Sequence, residues 1–230
     1  MSNCIIVFVK APVPGQVKTR LTSDISPEQA AVVYEAFLLD WCEALASVPS
    51  AALVVAYTPE NARESLQNLI RPTPLFIPQV GDTLGERLIA ATQWARSNAY
   101  RNIVLVGSDS PTLPVSYVQH AFDLLASHDV VIGPSVDGGY YLIGFSTQGV
   151  TLALPTVFEG IEWSTSVVFR QTVEKIASTR ARLGLLPPWY DVDGIAELRF
   201  LHAHLHAMKL AGENLPAPRT YEILLGLLEG

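Results

Sequence analysis

Cys4-Ile-Ile-Val-Phe-Val-Lys-Ala-Pro-Val-Pro-Gly-Gln-Val-Lys-Thr-Arg-Leu21 decides the fold. The apolar run Cys4 to Val9 reads as a first strand, and the segment Lys10 to Asp24 that follows holds Pro12, Pro14 and Gly15, the residues of a loop. Ligands of open α/β sheets bind just outside the carboxyl ends of strands, so polar residues immediately after a strand carry most information. Here they are Lys10, Lys18 and Arg20, with no acid among them and a glycine that lets backbone amides approach a ligand. Lysine supplies a point charge and arginine a fork, a pair suited to a di- or triphosphate. Read alone, the loop is equally well a solvated segment. It is neither standard phosphate loop: only Gly15 precedes Lys18-Thr19, at the wrong spacing for a P-loop, and no G-x-G-x-x-G follows a strand.

Outward from this stretch, β-rich runs alternate with helical patterns. Ser26-Pro27-Glu28-Gln29 joins an N-cap serine, a proline at the first helical position and a capping-box glutamine. Tyr34, Phe37, Leu38, Trp41 and Leu45 follow at helical spacing and predict a sheet-facing stripe. Strands are expected at 51–57, 75–77, 103–106, 129–133, 140–145 and 182–185, and helices after Pro59, over 85–95, 114–127 and 164–177, around Leu198 to Met208 and over 221–228. The alternation predicts an α/β fold, a three-layer, doubly wound, mostly parallel sheet. The short polar link Pro134 to Gly139 predicts one antiparallel hairpin element. No repeat or linker divides the chain, so residues 1–230 are expected to form a single domain with 195–230 as a C-terminal helical extension.

Composition removes several function classes. The formal charge of the 230 residues is −7, the wrong sign for nucleic-acid binding, which draws its affinity from displaced phosphate counterions. The exception is local: the first 23 residues carry Lys10, Lys18 and Arg20 and no acid, which leaves −10 on the remainder. With 49% hydrophobic and 16% charged residues the chain lies far from the disordered class. Cys4 and Cys42 both sit in apolar surroundings and predict buried free thiols, with no disulfide framework or cysteine-based zinc site. The N-terminus does not read as a signal peptide and no apolar run reaches the roughly 20 residues of a membrane span, so a cytoplasmic protein is expected.

Other constellations follow strands. Asp109, in Gly107-Ser-Asp-Ser-Pro111, is placed to ligate a hard divalent cation that bridges substrate phosphates, or to cap an Asx turn. Asp191-Val-Asp193 offers two carboxylates, which alternation in an extended segment turns to opposite faces, so one of them ligates metal or Asp193 caps the helix that follows. Asp137-Gly-Gly-Tyr-Tyr141 is a turn headed by an acid, a base candidate or hairpin chemistry. His202, His204 and His206 lack the glutamate and third ligand of a zinc helix and predict a solvated face.

Five stretches in order, Phe8 to Leu21, Gly81-Asp-Thr-Leu-Gly-Glu-Arg-Leu88, Gly107-Ser-Asp-Ser-Pro-Thr-Leu-Pro114, Gly133-Pro-Ser-Val-Asp-Gly-Gly-Tyr-Tyr-Leu142 and Tyr190-Asp-Val-Asp193, resemble the GT-A nucleotide-diphospho-sugar transferase fold. More narrowly they resemble a family of bacterial and archaeal proteins classed as glycosyltransferases and related to 2-phospholactate guanylyltransferase. The resemblance implies that Ala11, Pro12 and Gly15 lie beside base and ribose, that Lys10, Lys18 and Arg20 meet the phosphates, and that Leu84-Gly85 closes over the nucleotide. It implies Mg²⁺ or Mn²⁺ on Asp109 and Asp193. After Asp193 the chain reads Gly-Ile-Ala-Glu-Leu198 where the nucleotidyltransferase branch has Thr-Pro-Glu-Asp-Leu, with alanine at one of its acids. The expectation is a metal-dependent transferase using a nucleotide-activated donor and a small-molecule acceptor, first as a glycosyltransferase with Asp137 as base. Nucleotidyl transfer with pyrophosphate release is the alternative, and a catalytically degenerate nucleotide-binding domain the second one. Nucleotide sugar or nucleoside triphosphate is the expected partner, with no nucleic acid and no membrane span.

Overall fold

The computed structural model describes residues 2–71, 73–148 and 154–228. Along the chain it forms β1 (Asn3–Lys10), α1 (Pro27–Ala46), β2 (Ala51–Thr58), α2 (Arg63–Leu69), β3 (Leu75–Pro78), α3 (Leu84–Ser97), β4 (Asn102–Val106) and α4 (Val115–Leu125). Then come β5 (Val130–Pro134), β6 (Tyr140–Ser146), α5 (Leu154–Phe158), α6 (Val168–Ala177), β7 (Leu183–Leu185), α7 (Ile195–Leu210) and α8 (Pro218–Leu228).

The strands make one sheet in the order β3-β2-β1-β4-β6-β5-β7. β1 pairs in parallel with β2 on one side and β4 on the other, so the strand order reverses between β1 and β4. Side chains alternate across that sheet. Ile5, Val7 and Val9 bury against Leu38, Trp41 and Phe122 on one face, whereas Cys4 and Ile6 bury with Leu88, Ala91 and Phe158 on the other. The result is the expected three layers. β6 runs antiparallel to both β4 and β5, which is the hairpin anticipated from Pro134 to Gly139.

Local chemistry fixes the helix starts. Ser26 Oγ accepts from the Gln29 N–H at 3.2 Å while Gln29 Oε1 accepts from the Ser26 N–H at 2.8 Å, the reciprocal box predicted for α1. Thr83 and Glu86 make the same box for α3, and Glu86 also takes the Asp82 N–H at 2.7 Å. Those backbone donors hold its carboxyl below the ordinary glutamate value.

Three expectations need correction. The helix predicted over 164–177 begins only at Val168, because Ser164 takes a left-handed φ of 63° and the Phe169 N–H is drawn to the Gly138 carbonyl at 2.8 Å. The short helix Leu154–Phe158 was not foreseen. The last helix starts three residues early, at Pro218, because the buried Asp40 carboxylate of α1 accepts from the backbone N–H groups of Arg219 at 3.3 Å and Thr220 at 2.8 Å. A third apolar cluster ties this extension down: Phe37 and Val33 of α1 bury against Leu198, Leu201 and Leu205 of α7 and Tyr221 and Leu224 of α8.

Cys4 and Cys42 are free and buried, and burial pushes both thiols up to about 12. His206 is exposed as expected, with its Nδ1 3.0 Å from the Tyr221 hydroxyl, whereas His204 is half-buried, its Nδ1 2.8 Å from the Tyr190 hydroxyl. Among the described residues no helix is long and apolar enough to cross a membrane.

Candidate functional site

At the point where strand order reverses, the loop after β1 meets the loop after β4. Lys18 sits at φ 46°, the left-handed entry to a 3-10 turn over Thr19–Ser23, and this turns its side chain inward. The Lys18 Nζ is ion-paired with the Asp109 carboxylate, donates to the Val192 carbonyl at 2.7 Å, and lies 5.8 and 5.4 Å from the ring centres of Tyr34 and Phe37. Its side chain is only 4% exposed against 46% for Asp109, so the cation is built into the wall while the carboxylate faces out. Two residues on, Arg20 Nη1 pairs with Asp193 Oδ2 at 2.7 Å in a more open position.

The surrounding hydrogen bonds hold the loops in register. Tyr34 of α1 shares a 2.8 Å hydrogen bond with Ser108 and accepts the Lys10 N–H at 3.2 Å. Burial, with Asp109 nearby, pushes its phenol far above the ordinary value. Trp41 donates to the Gly107 carbonyl at 3.0 Å, and the Val192 N–H donates to the Asp109 carbonyl at 3.0 Å. Asp191 accepts from the hydroxyls of Ser110 and, at 2.7 Å, Ser135. Burial raises its carboxyl to about 6, the two serines opposing and Asp109 and Asp137 adding to the shift. Asp193 is also raised, by burial first, with Lys18 and Arg20 opposing and Asp109 adding.

Lys18, Arg20, Tyr34, Ser108, Asp109, Asp191 and Asp193 line one cavity of about 560 Å³. Of the residues singled out in the sequence, Lys10, Lys18, Arg20, Leu84, Asp109 and Asp193 lie in its wall. Ala11, Pro12, Gly15, Gly85 and Asp137 are not among its lining residues. Ala11 is buried with its N–H on the Thr58 carbonyl at 2.8 Å, and Gly15 serves a turn at φ 74°. Gly85 is close packed, since a Cβ there would meet the Phe158 carbonyl at 3.0 Å and the Trp163 indole nitrogen at 3.1 Å. Asp137 is exposed and caps its own turn, accepting the Gly139 N–H at 2.9 Å.

The wall also holds residues the sequence reading passed over, notably Gln79, Arg87, Tyr34 and Tyr140. Gln79 stands one residue past β3, a position the after-strand rule could have flagged, but an uncharged amide gave no signal. Tyr34 fell in an apolar helical stripe and read as core.

Asp109 and Asp193 are hard oxygen donors on one cavity, and no group of three candidate ligands occurs among the described residues. Mg²⁺ is usually held by one or two carboxylates together with substrate phosphates, so this pair fits such an ion arriving with its ligand. Asp191 fits poorly, because both its oxygens are committed to serines.

The model of a family described as "Uncharacterized protein conserved in bacteria (DUF2064)" matches residues 41–165. The chain belongs to this family. The matched segment carries the Gly81, Gly107 and Gly133 stretches. A crystal structure of a protein from Desulfovibrio desulfuricans G20, provisionally named a nucleotide-diphospho-sugar transferase, is 36% identical with a TM-score of 0.88, covering 98% of this chain and 94% of that one. This DUF2064 protein therefore has the nucleotide-diphospho-sugar transferase fold. A curated relative, the 3-phospho-D-glycerate guanylyltransferase of Phenylobacterium zucineum (strain HLK1), is 32% identical over 129 residues, 55% of this chain and 59% of that protein. The match thus spans about three fifths of the relative's length. A cytidylyltransferase from Leptospira borgpetersenii shares the fold at a TM-score of 0.55 and 14% identity, covering 100% of this chain and 94% of the other.

Proposed function

We propose that this DUF2064 protein is a transferase that binds a nucleoside triphosphate and moves its nucleotidyl group to a small phosphorylated acceptor, releasing pyrophosphate. The observation that carries this reading is the pairing of cations with acids on one cavity wall, Lys18 with Asp109 and Arg20 with Asp193, while the candidate base, Asp137, is not among the lining residues and is turned to its own backbone. A phosphate nucleophile is already ionised and asks for no base. An acceptor hydroxyl attacking a sugar would ask more of Asp137.

In this reading Lys18 and Arg20 leave their carboxylates for phosphate oxygens and share the charge that builds on the departing pyrophosphate. Asp109 and Asp193, so released, would hold Mg²⁺ or Mn²⁺, which would supply charge neutralisation at the phosphates. The buried bonds from Tyr34, Trp41 and Val192 fix the two loops, so little ordering remains when the ligand arrives. The curated relative acts, by its name, on a phosphorylated hydroxy acid with a guanylyl donor, which supports this class of acceptor.

Glycosyl transfer is the second reading, supported by similarity over nearly the whole chain to the Desulfovibrio desulfuricans protein. The test is incubation of the protein and Mg²⁺ with each nucleoside triphosphate and a panel of phosphorylated hydroxy acids, measuring pyrophosphate, beside nucleotide sugars, measuring released nucleoside diphosphate. Pyrophosphate that depends on the acceptor supports the proposal. Diphosphate release from nucleotide sugars alone overturns it in favour of the second reading.

A further inference from the structure

The cavity has an arm that phosphate binding does not use. It lies on the β3 side of the sheet, where Gln79 follows β3 and Leu84 and Arg87 open α3. Two strand spacings, roughly 10 Å, separate β1 from β3, which moves this arm away from Lys18 and Asp109 at the β1/β4 junction. Its polar groups are oriented. Gln79 Nε2 donates to the Val9 carbonyl at 3.2 Å and the Ala56 carbonyl at 2.9 Å, so both its N–H groups are spent and its Oε1 is turned to Arg87 Nη1, 3.4 Å away. Arg87 Nε donates to the Gly81 carbonyl at 2.9 Å.

Both of these Arg87 partners are neutral, and among the described residues Arg87 forms no ion pair. Five N–H donors make up a guanidinium. Two are engaged, and the remaining Nη1 and Nη2 hydrogens form a fork with no protein acceptor in the described structure. Phe8 and the 43% exposed side chain of Leu84 give the arm apolar surface. A held cationic fork beside apolar walls suits a planar heterocycle that presents two adjacent acceptors at its edge. Guanine does so with O6 and N7, whereas adenine and cytosine place an amino donor at the corresponding position.

Resting on the reading of this cavity as a nucleotide site, the geometry points to Arg87 as the residue that selects guanine, by a bidentate hydrogen bond to O6 and N7, with Gln79 as the residue that positions it. The inference holds for either bond broken in the transfer. Lys18 and Arg20 supply affinity common to all nucleotides; Arg87 supplies the difference between bases.

The test is calorimetric titration of the full chain, in Mg²⁺, with GTP, ITP, 7-deaza-GTP, ATP, CTP and UTP. GTP and ITP, which share O6 and N7, are expected to bind alike, and 7-deaza-GTP and ATP about ten- to a hundred-fold more weakly, the span of one bidentate base contact. Arg87→Ala should bring GTP down to the level of 7-deaza-GTP while leaving the ATP affinity unchanged. Arg87→Lys, which keeps the charge without the fork, should not restore the difference. A uniform loss across all six nucleotides in Arg87→Ala, with an unchanged melting temperature, overturns the inference and puts Arg87 on the phosphates. Equal binding of all bases by the unmodified protein also overturns it while leaving the nucleotide site standing. Absence of any nucleotide binding removes both.

Discussion

Replacing Lys18 with methionine separates what the lysine does for the fold from what it does for a ligand. Methionine keeps an unbranched apolar stem against the rings of Tyr34 and Phe37 and removes the charge. In the folded protein the losses are one hydrogen bond to the Val192 carbonyl and the pair with Asp109. Asp109 is nearly half exposed and stays solvated, so the cost to stability is about 1 kcal/mol, the net value of one ordinary hydrogen bond. For a chain of this size that lowers the melting temperature by roughly 2–4 °C. The ligand loses more. A charge-assisted hydrogen bond from a buried ammonium to phosphate is worth about 1.5–3 kcal/mol, and at 1.4 kcal/mol per decade the nucleotide should bind about ten- to a hundred-fold more weakly. The metal changes the other way, because Asp109 no longer faces a fixed cation, and Mn²⁺ without nucleotide should bind more tightly to Lys18→Met than to the parent protein. Calorimetric titrations with a nucleoside triphosphate and, separately, with Mn²⁺ read both effects. Nucleotide affinity within twofold of the parent value, in a variant that melts normally, would refute the assignment of Lys18 to phosphate. Parallel weakening of both ligands would show that the variant had only loosened the site.

Asp191→Asn tests the burial of that carboxyl. Its folded value, about 6, stands above the ordinary 3.8, so the folded protein holds the proton more tightly and stability falls as pH rises from near 4 to above 6. The amide should therefore stabilise the protein by about 2 kcal/mol at pH 8 and not at pH 4, as read by urea denaturation at the two pH values; an equal effect at both would count against the shift. Asp40→Ala removes the 2% exposed carboxylate that caps α8 and leaves the Thr220 N–H buried without it, which should cost about 2–4 kcal/mol and lower the melting temperature by roughly 5–15 °C; a change under 2 °C would mean that α8 is held by its apolar face alone. Gly138→Ala places a Cβ 2.1 Å from the Ser166 carbonyl oxygen at φ 94°, and denaturant unfolding should show a loss of at least about 2 kcal/mol, whereas a loss below 0.5 kcal/mol would show that segment 164–167 yields freely.

The sheet was legible because its signals are local. Apolar runs of three to seven residues, Ser26 with Gln29, and the polar link after Pro134 each act within a few positions of the chain, and the structure returns strands and a helix start where they predict them. The acids were half legible. Spacing two in an extended segment separates Asp191 from Asp193, and the structure sends the first to Ser110 and Ser135 and the second to Arg20. No local feature says which serines or which arginine will be opposite, since Ser110 and Asp191 are brought together only by the sheet. The same holds for Asp40, which sits in an apolar stretch of α1 and finds its purpose in backbone groups 179 and 180 residues away. Arg87 lies inside a distinctive stretch, yet the role proposed for it rests on Gln79 being pinned to Val9 of β1 and Ala56 of β2.

The charge pattern joins these parts. A basic loop in a chain of net −7 invites the view that the site is positive and simply waits for phosphate. Instead two cations of the loop, one buried and one open, are each answered by an acid from the far part of the chain, Lys18 by Asp109 and Arg20 by Asp193. A triphosphate arriving alone must part these pairs and then lie beside two carboxylates; a divalent cation arriving alone must lie beside an ammonium and a guanidinium. Arriving together they would exchange partners, the phosphates taking the cations and the two carboxylates being left to hold the metal, so that no buried charge would be left uncompensated. On the proposed function nucleotide and metal would therefore favour each other's binding, and by linkage the factor would be the same in both directions. In that proposal the basic loop would select the metal-bound nucleotide over either component because the cations it presents are already paired with acids.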